Sequence, residues 1–360
     1  MRKLIISNTH YQTIVAIQLK MTLFKADQVV LLISDHSKGS EEIANRLAQT
    51  GIFEKVCFFR SREIVYNYTK KQQWQDFFAI AFKASSRYSY YLDGLDNLRF
   101  DELLVYNYEP DIYGLYNELY RYNKDIIISM FEEGVLSYNI EERTSAKLRA
   151  ASGIRRIRGK KSVYEARGNF YCFFPQLYTG SFFPTEIPRI TKDSPTTQIL
   201  TQAFGIQADK LSYEKKYIYF SSVYDFEGGK PIGEFELVKR LVDVVGKENL
   251  LIKTHPRDRR TVYEEYGLSI DTNSSAPWEA IQLCYDFSGK VFLSATSSSL
   301  LAGSLMSDQP IEAYYLFRMC DLRENYAEKT VSQIQRVLNH TKTREIFSNI
   351  HVPENISEIV

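Results

Sequence analysis

Short runs rich in β-branched and aromatic residues alternate along this chain with longer amphipathic stretches, and that alternation leaves few architectures open. Lys3–Ser7, Gln28–Ser34, Lys55–Phe59, Glu102–Tyr106 and Asp125–Phe131 read as strands. Thr13–Phe24 and Ser40–Gln49 between them have helical spacing, the second opened by Ser40 with Glu42 close behind. Strand, helix, strand at this spacing predicts a mostly parallel sheet with helices on both faces. The Tyr-rich stretch from Ser61 to Asp93 reads as a helix plus an irregular segment. A second unit of the same kind follows, with strands at Tyr217–Val223, Asn249–Lys253, Ile270 and Val291–Ala295 and helices at Glu234–Val245, Trp278–Cys284 and Tyr326–Asn339. The expected fold class is α/β, with two Rossmann-like domains facing a cleft: residues 1–178, a Pro-containing connection over 179–197, and residues 198–360. Ligands of such open sheets bind beyond the carboxyl ends of the strands.

At 360 residues the chain suits two ordinary domains. Its net charge of +1 excludes a general nucleic-acid binder. The charge is uneven, however. Arg149, Arg155, Arg156, Arg158, Lys160 and Lys161 crowd the run from Arg143 to Arg167. Such a run is either a solvated face or a docking surface for anionic lipid or an anionic acceptor. Cys57, Cys172, Cys284 and Cys320 show no CxxC pairing and read as core residues of a reducing compartment. The opening apolar run is too short for a signal peptide, and no stretch reaches the ~18 apolar residues of a membrane span. The expected location is therefore cytoplasmic, at most peripheral to the inner face of a membrane.

Four segments carry the chemistry, each at a predicted strand end or helix start. Lys253-Thr254-His255-Pro256-Arg257-Asp258 puts an imidazole, fixed by the following proline, among cations that favour a nearby anion. Leu293-Ser294-Ala295-Thr296-Ser297-Ser298-Ser299 runs from strand to helix through hydroxyls, which serve equally as caps or as phosphate ligands. Met130-Phe131-Glu132-Glu133-Gly134 offers adjacent carboxylates before a tight turn. Neighbours leaving a strand point apart, so one working base is expected rather than a dyad. Ile6-Ser7-Asn8-Thr9-His10-Tyr11-Gln12 lines the first strand's end, with His10 a sugar contact and Asn8 or Thr9 equally a cap. No GxxxxGK[ST] or GxGxxG pattern is present in these segments. Asp93-Gly94-Leu95-Asp96 is DxD-like but reads as a turn, so no metal is expected.

Together these segments resemble the bacterial sialyltransferases of the two-domain GT-B type. The nearest are the lipooligosaccharide sialyltransferases of glycosyltransferase family 52, with the bacterial polysialyltransferases as relatives. An acidic-acidic-Gly motif, an HP motif and a paired Ser/Thr motif occur there in the order shown here by Glu132-Glu133-Gly134, His255-Pro256 and Ser297-Ser298-Ser299. Asn8-Thr9-His10-Tyr11-Gln12 is similar to the family's Thr-Pro-x-Gln opening, with His10 replacing proline. Pro277-Trp278-Glu279 is similar to its Pro-aromatic-Glu segment.

The resemblance implies inverting transfer of sialic acid from CMP-sialic acid to a hydroxyl of a cell-surface, capsular or lipooligosaccharide glycan, without metal or cofactor. Glu133 or Glu132 would be the base, with Asp225 in Tyr224-Asp225-Phe226-Glu227-Gly228 as the alternative. His255 would stabilise or protonate the leaving phosphate held by Ser297 and Ser298, and Glu279 would hold the ribose. Lys253, Pro256, Arg257, Trp278, Thr296 and Ser299 complete the donor side. Asn8, Thr9, His10, Gln12 and Gly134 complete the acceptor side. Membrane contact through Arg143–Arg167 and a homodimer fit the same picture. A transferase using a UDP- or GDP-sugar, or a non-catalytic glycan-binding relative, are the competing readings.

Overall fold

A computed structural model describes residues 1–61, 69–82, 86–107, 110–139, 146–272 and 276–359. The chain divides into two compact units. One comprises Met1–Glu133, Ser137–Pro188 and Gln198–Phe204; the other comprises Gly134–Leu136, Arg189–Thr197 and Gly205–Val360.

The first unit is built on strands β1 Arg2–Ser7, β2 Gln28–Ser34, β3 Lys55–Phe59, β4 Glu102–Val105, β5 Ile127–Phe131, β6 Arg167–Cys172 and β7 Phe183–Glu186. They form one parallel sheet in the order β3-β2-β1-β4-β5-β6-β7. Leu4, Ile5, Ile6 and the run Val29–Ile33 are buried, as strands covered on both faces require. Helices α1 His10–Met21, α2 Ser40–Thr50, α3 Lys70–Phe82, α4 Pro110–Leu119, α5 Ala146–Ile157 and α6 Pro195–Phe204 accompany these strands along the chain. Strand order reverses between β1 and β4, a switch point where ligands of such sheets bind.

The second unit repeats the plan with β8 Tyr217–Phe220, β9 Leu250–Lys253, β10 Ser269–Ile270, β11 Val291–Ser294, β12 Glu312–Tyr315 and β13 Ile350–His351. The parallel order is β10-β9-β8-β11-β12-β13, with the switch point between β8 and β11. Its helices are α7 Glu234–Val245, α8 Val262–Glu265, α9 Trp278–Cys284, α10 Ser299–Met306 and α11 Ala327–Leu338.

Two expectations are corrected. The stretch 179–197, read as a connection, contains β7. Its Pro184 is tolerated because β7 pairs only with β6 at the sheet edge, where a missing N–H costs no ladder bond. The first helix begins at His10 rather than Thr13, because Thr9 supplies its cap. Asp93 and Gly94 do form a turn, Gly94 having φ 78°. Arg143 lies outside the described residues. Among the described residues no helix is long and apolar enough to cross a membrane.

Candidate active site

In the first unit, polar side chains gather beyond β1 and β5. Thr9 is extended, with φ −126° and ψ 159°, and its Oγ1 accepts from the Gln12 N–H at 3.2 Å. Gln12 answers with Oε1, which accepts from the Asn8 N–H at 2.6 Å, so the two side chains close a reciprocal cap. The remaining Gln12 group, Nε2, donates to Glu133 Oε2. The capping of α1 and the orientation of a carboxylate are thus one construction. His10 sits half-buried against the edge of Phe204, ring centroids 5.7 Å apart, and burial lowers its pKa. His10 Nε2 and Asn8 Oδ1 are buried without a hydrogen-bond partner. Two such orphaned polar atoms at one turn mark a place where a ligand can make good the loss.

The two adjacent glutamates separate completely. Glu132 is fully buried. Its Oε1 accepts from Tyr11 OH at 2.6 Å, and its Oε2 from Tyr138 OH and from the Phe173 N–H at 3.0 Å. Burial nevertheless outweighs these three donors and raises its pKa to about 7. Glu133, one residue on, is exposed. Its own N–H donates to Ser137 Oγ at 3.3 Å. Gly134 follows with φ 118°, a conformation that a residue with a Cβ adopts only under strain. Of the pair, only Glu133 is open to solvent.

In the second unit, three loops lie side by side beyond β9, β8 and β11, at that sheet's switch point. After β9, the His255 N–H donates to Ser221 Oγ at 3.0 Å, which ties the histidine to the β8 loop. His255 Nδ1 accepts from the Arg257 N–H at 3.1 Å. Nδ1 is therefore unprotonated, and the ring proton sits on Nε2. Burial, and then the Arg257 charge, lower the pKa. His255 is a neutral Nε2–H donor, better placed to hydrogen-bond a phosphate oxygen than to give up a proton.

After β11, Ser294 Oγ collects the N–H groups of Thr296 and Ser297 at 3.2 and 2.9 Å and donates to the Phe220 carbonyl at 2.8 Å. That fixes the loop entering α10. Ser298 stands at the N-cap but makes no capping bond, so the exposed helix start is open to an anion. Thr296 is fully buried, and its Oγ1 has no partner. Ser299 hydrogen-bonds the half-buried Glu279 in the first turn of α9, with Lys253 near enough to oppose the rise that burial causes in the Glu279 pKa. The Lys253 ammonium also lies 2.7 Å from Asp271 Oδ2. The carboxyl ends of β9 and β11, which lead into His255 and the α10 start, are two strand spacings apart, about 10 Å.

Other candidates are employed elsewhere. Asp225 caps α7: Oδ1 accepts from the Gly233 and Glu234 N–H groups, both at 3.0 Å, and Oδ2 from Phe235 at 3.1 Å. Both of its oxygens are thus occupied by the start of α7. Trp278 is core rather than a stacking platform, buried edge-on against Phe220 at 4.7 Å and Phe292 at 5.4 Å. Arg257 pairs with Glu227 at 2.7 Å, and Pro256 is exposed in the turn closed by Asp258 N–H and His255 O.

Sequence reasoning missed Glu234. It is fully buried, accepts from Tyr219 OH at 3.0 Å, Ser222 N–H at 3.0 Å and Ser222 Oγ at 2.7 Å, and so fixes the loop that carries Ser221. As the first residue of a helix, where an exposed glutamate is commonplace, it gave no signal of that role.

The family described as alpha-2,8-polysialyltransferase (POLYST) matches residues 3–310. No curated protein matches the chain. Among solved structures, CalG4, the calicheamicin glycosyltransferase, is similar over 100% of this chain and 89% of its own, at 10% identity and a TM-score of 0.52. An alpha/beta-galactoside alpha-2,3-sialyltransferase from Photobacterium phosphoreum is similar over 99% and 98% of the two chains, at 11% identity and a TM-score of 0.48. The likeness to CalG4 is one of fold, the two-domain GT-B architecture. The family match extends into both units and takes in every motif described above. The chain belongs to the alpha-2,8-polysialyltransferase family, and with it to the glycosyltransferases.

Proposed function

We propose that this enzyme transfers sialic acid from CMP-sialic acid to a hydroxyl of a surface or capsular glycan, with inversion and without a metal. The acceptor oxygen forms a bond to the anomeric carbon as the bond from that carbon to the CMP phosphate breaks. Glu133 takes the hydroxyl proton, and CMP leaves with its oxygens held by the α10 start and the His255 Nε2–H. Glu279 holds the ribose, as the resemblance implies. The observation that carries this reading is the division of labour between neighbouring carboxylates. One is sealed in by three donors, and the other is presented to solvent and oriented by Gln12. The enzyme acts at the cytoplasmic face of a membrane, to which it binds peripherally.

The test is calorimetric titration with CMP, UDP and GDP in chelator, repeated on His255→Ala and His255→Gln. CMP is expected to bind selectively. Loss of a donor to a charged oxygen costs about 1.5–3 kcal/mol, so the alanine variant should bind roughly 10- to 100-fold more weakly, with glutamine recovering part of the loss. A preference for UDP or GDP would overturn the donor, and absence of nucleotide binding would overturn the transfer reaction itself.

A further inference from the structure

Helix α3 turns one face inward through Asp76, Ile80 and Ala81. Its opposite face carries Trp74, Phe78 and Phe82, which are 50%, 55% and 46% exposed. These rings recur every fourth residue and form a stripe along about 12 Å of helix. Trp74 and Phe78 lie 6.2 Å apart, and Phe78 and Phe82 stack at 6.3 Å. An ordered apolar stripe of this size on a soluble face calls for an occupant.

Cations border the stripe. Lys147 of α5 places its ammonium 4.7 Å from the Trp74 ring, and Arg158, just past α5, lies 5.7 Å from Phe82. Arg158 also donates to the Phe82 carbonyl at 2.9 Å, so α3 is tied to the basic segment. Lys70 and Lys71 are exposed at the start of α3, and Arg149 and the 87% exposed Ile157 lie on α5. The single acid of α3, Asp76, is buried, and α5 has none. Other members of the basic run are used internally. Arg155 is buried and holds the Lys161 carbonyl, while Arg156 pairs with Glu165 at 3.2 Å.

We propose that this α3–α5 face docks the enzyme on an anionic lipid bilayer. Trp and Phe side chains enter the headgroup boundary while the surrounding Lys and Arg meet lipid phosphates. Charge complementarity selects the occupant. A second copy would bring like charges together, and an anionic polysaccharide would engage the cations but leave three apolar rings in water. The inference deepens the peripheral location proposed above and rests on it.

The chain has two tryptophans, and the other, Trp278, is only 4% exposed, so emission changes report Trp74. Phosphatidylcholine vesicles with and without phosphatidylglycerol would be added to the full-length protein, with co-sedimentation in parallel. The expected result is a blue shift and sedimentation with anionic vesicles only. Phe78→Ser should weaken binding roughly tenfold or more, and Lys147→Glu roughly fivefold or more. Both variants should bind CMP and turn over a soluble acceptor as the natural protein does. No shift with anionic vesicles, equal binding to neutral ones, or an already blue, concentration-dependent emission from self-association would each overturn the docking surface. Loss of nucleotide binding with vesicle binding intact would instead strike the proposed reaction.

Discussion

At the scale of single residues, Glu132 and Glu133 illustrate how one peptide unit of separation assigns opposite tasks. Leaving β5, successive side chains point to opposite sides, so one meets the interior and the other solvent. Glu133→Gln should therefore lower kcat by about 10²–10⁴, the usual contribution of a general base, with the unfolding curve unchanged. Glu132→Ala should act the other way round. It removes the acceptor for the hydroxyls of Tyr11 and Tyr138 and for the Phe173 N–H and opens a cavity in their place, and so lowers stability by several kcal/mol, about 1–3 kcal/mol for each lost bond. Turnover and urea denaturation of the two purified variants check both halves. A stable, inactive Glu132→Ala would reverse the assignment. The sequence reading anticipated a single base, but choosing between the two required Tyr11 and Tyr138, 121 and 6 residues away. A partner as distant as Tyr11 leaves no trace in local pattern. The same is true of Trp278, whose core neighbours Phe220 and Phe292 come from two different strands.

At the scale of elements, helix starts organise both sets of functional residues, and each start is satisfied differently. The α1 cap is internal, the α7 cap is borrowed from Asp225 nine residues before the helix begins, and α10 is left open. Asp225→Asn keeps one acceptor and loses the charge at a positive helix end. It should cost about 1 kcal/mol of stability while leaving kcat within a few-fold of the natural value. A thermal melt and a rate measurement suffice, and a collapse of rate with an unchanged melt would restore Asp225 as the base. Strands β1 to β5, β8, β9 and β11 were readable because buried parallel strands are continuous apolar runs, as in Leu4–Ile6 and Val29–Ile33. Strands β6 and β12, which mix polar residues into the run, were not read. β7 was not, because an edge strand tolerates the proline and polar residues that also mark a loop. Strands as short as β13, of two residues, fall below any periodicity.

At the scale of the whole molecule, each unit contains a fully buried glutamate, Glu132 in the first and Glu234 in the second, whose pKa is raised from 4.5 to about 7. Burial is the leading cause in both. Between these values the folded chain holds protons that the unfolded chain has released, so stability is fully present below pH 4.5 and declines as pH rises towards about 7. The loss is on the order of 3 kcal/mol for each group. Urea midpoints should therefore be lower at pH 7.5 than at pH 5, and Glu234→Gln should flatten the dependence for the second unit. An unaltered pH dependence in that variant would show that Glu234 titrates normally.

The path of the chain between the units has a practical consequence for anyone wishing to recombine them. The backbone leaves the first unit after Pro188, returns for Gln198–Phe204, and only then departs for good. A chimera spliced at residue 178 or 197, the natural choices from composition, would strip the first half of Phe204, against which the His10 ring is seated. It would also divide α6 or separate it from the sheet its carboxyl half belongs to. Transplanting the second half should therefore give a folded chimera only when the junction is moved beyond residue 204, with 189–197 carried along from the source of that half.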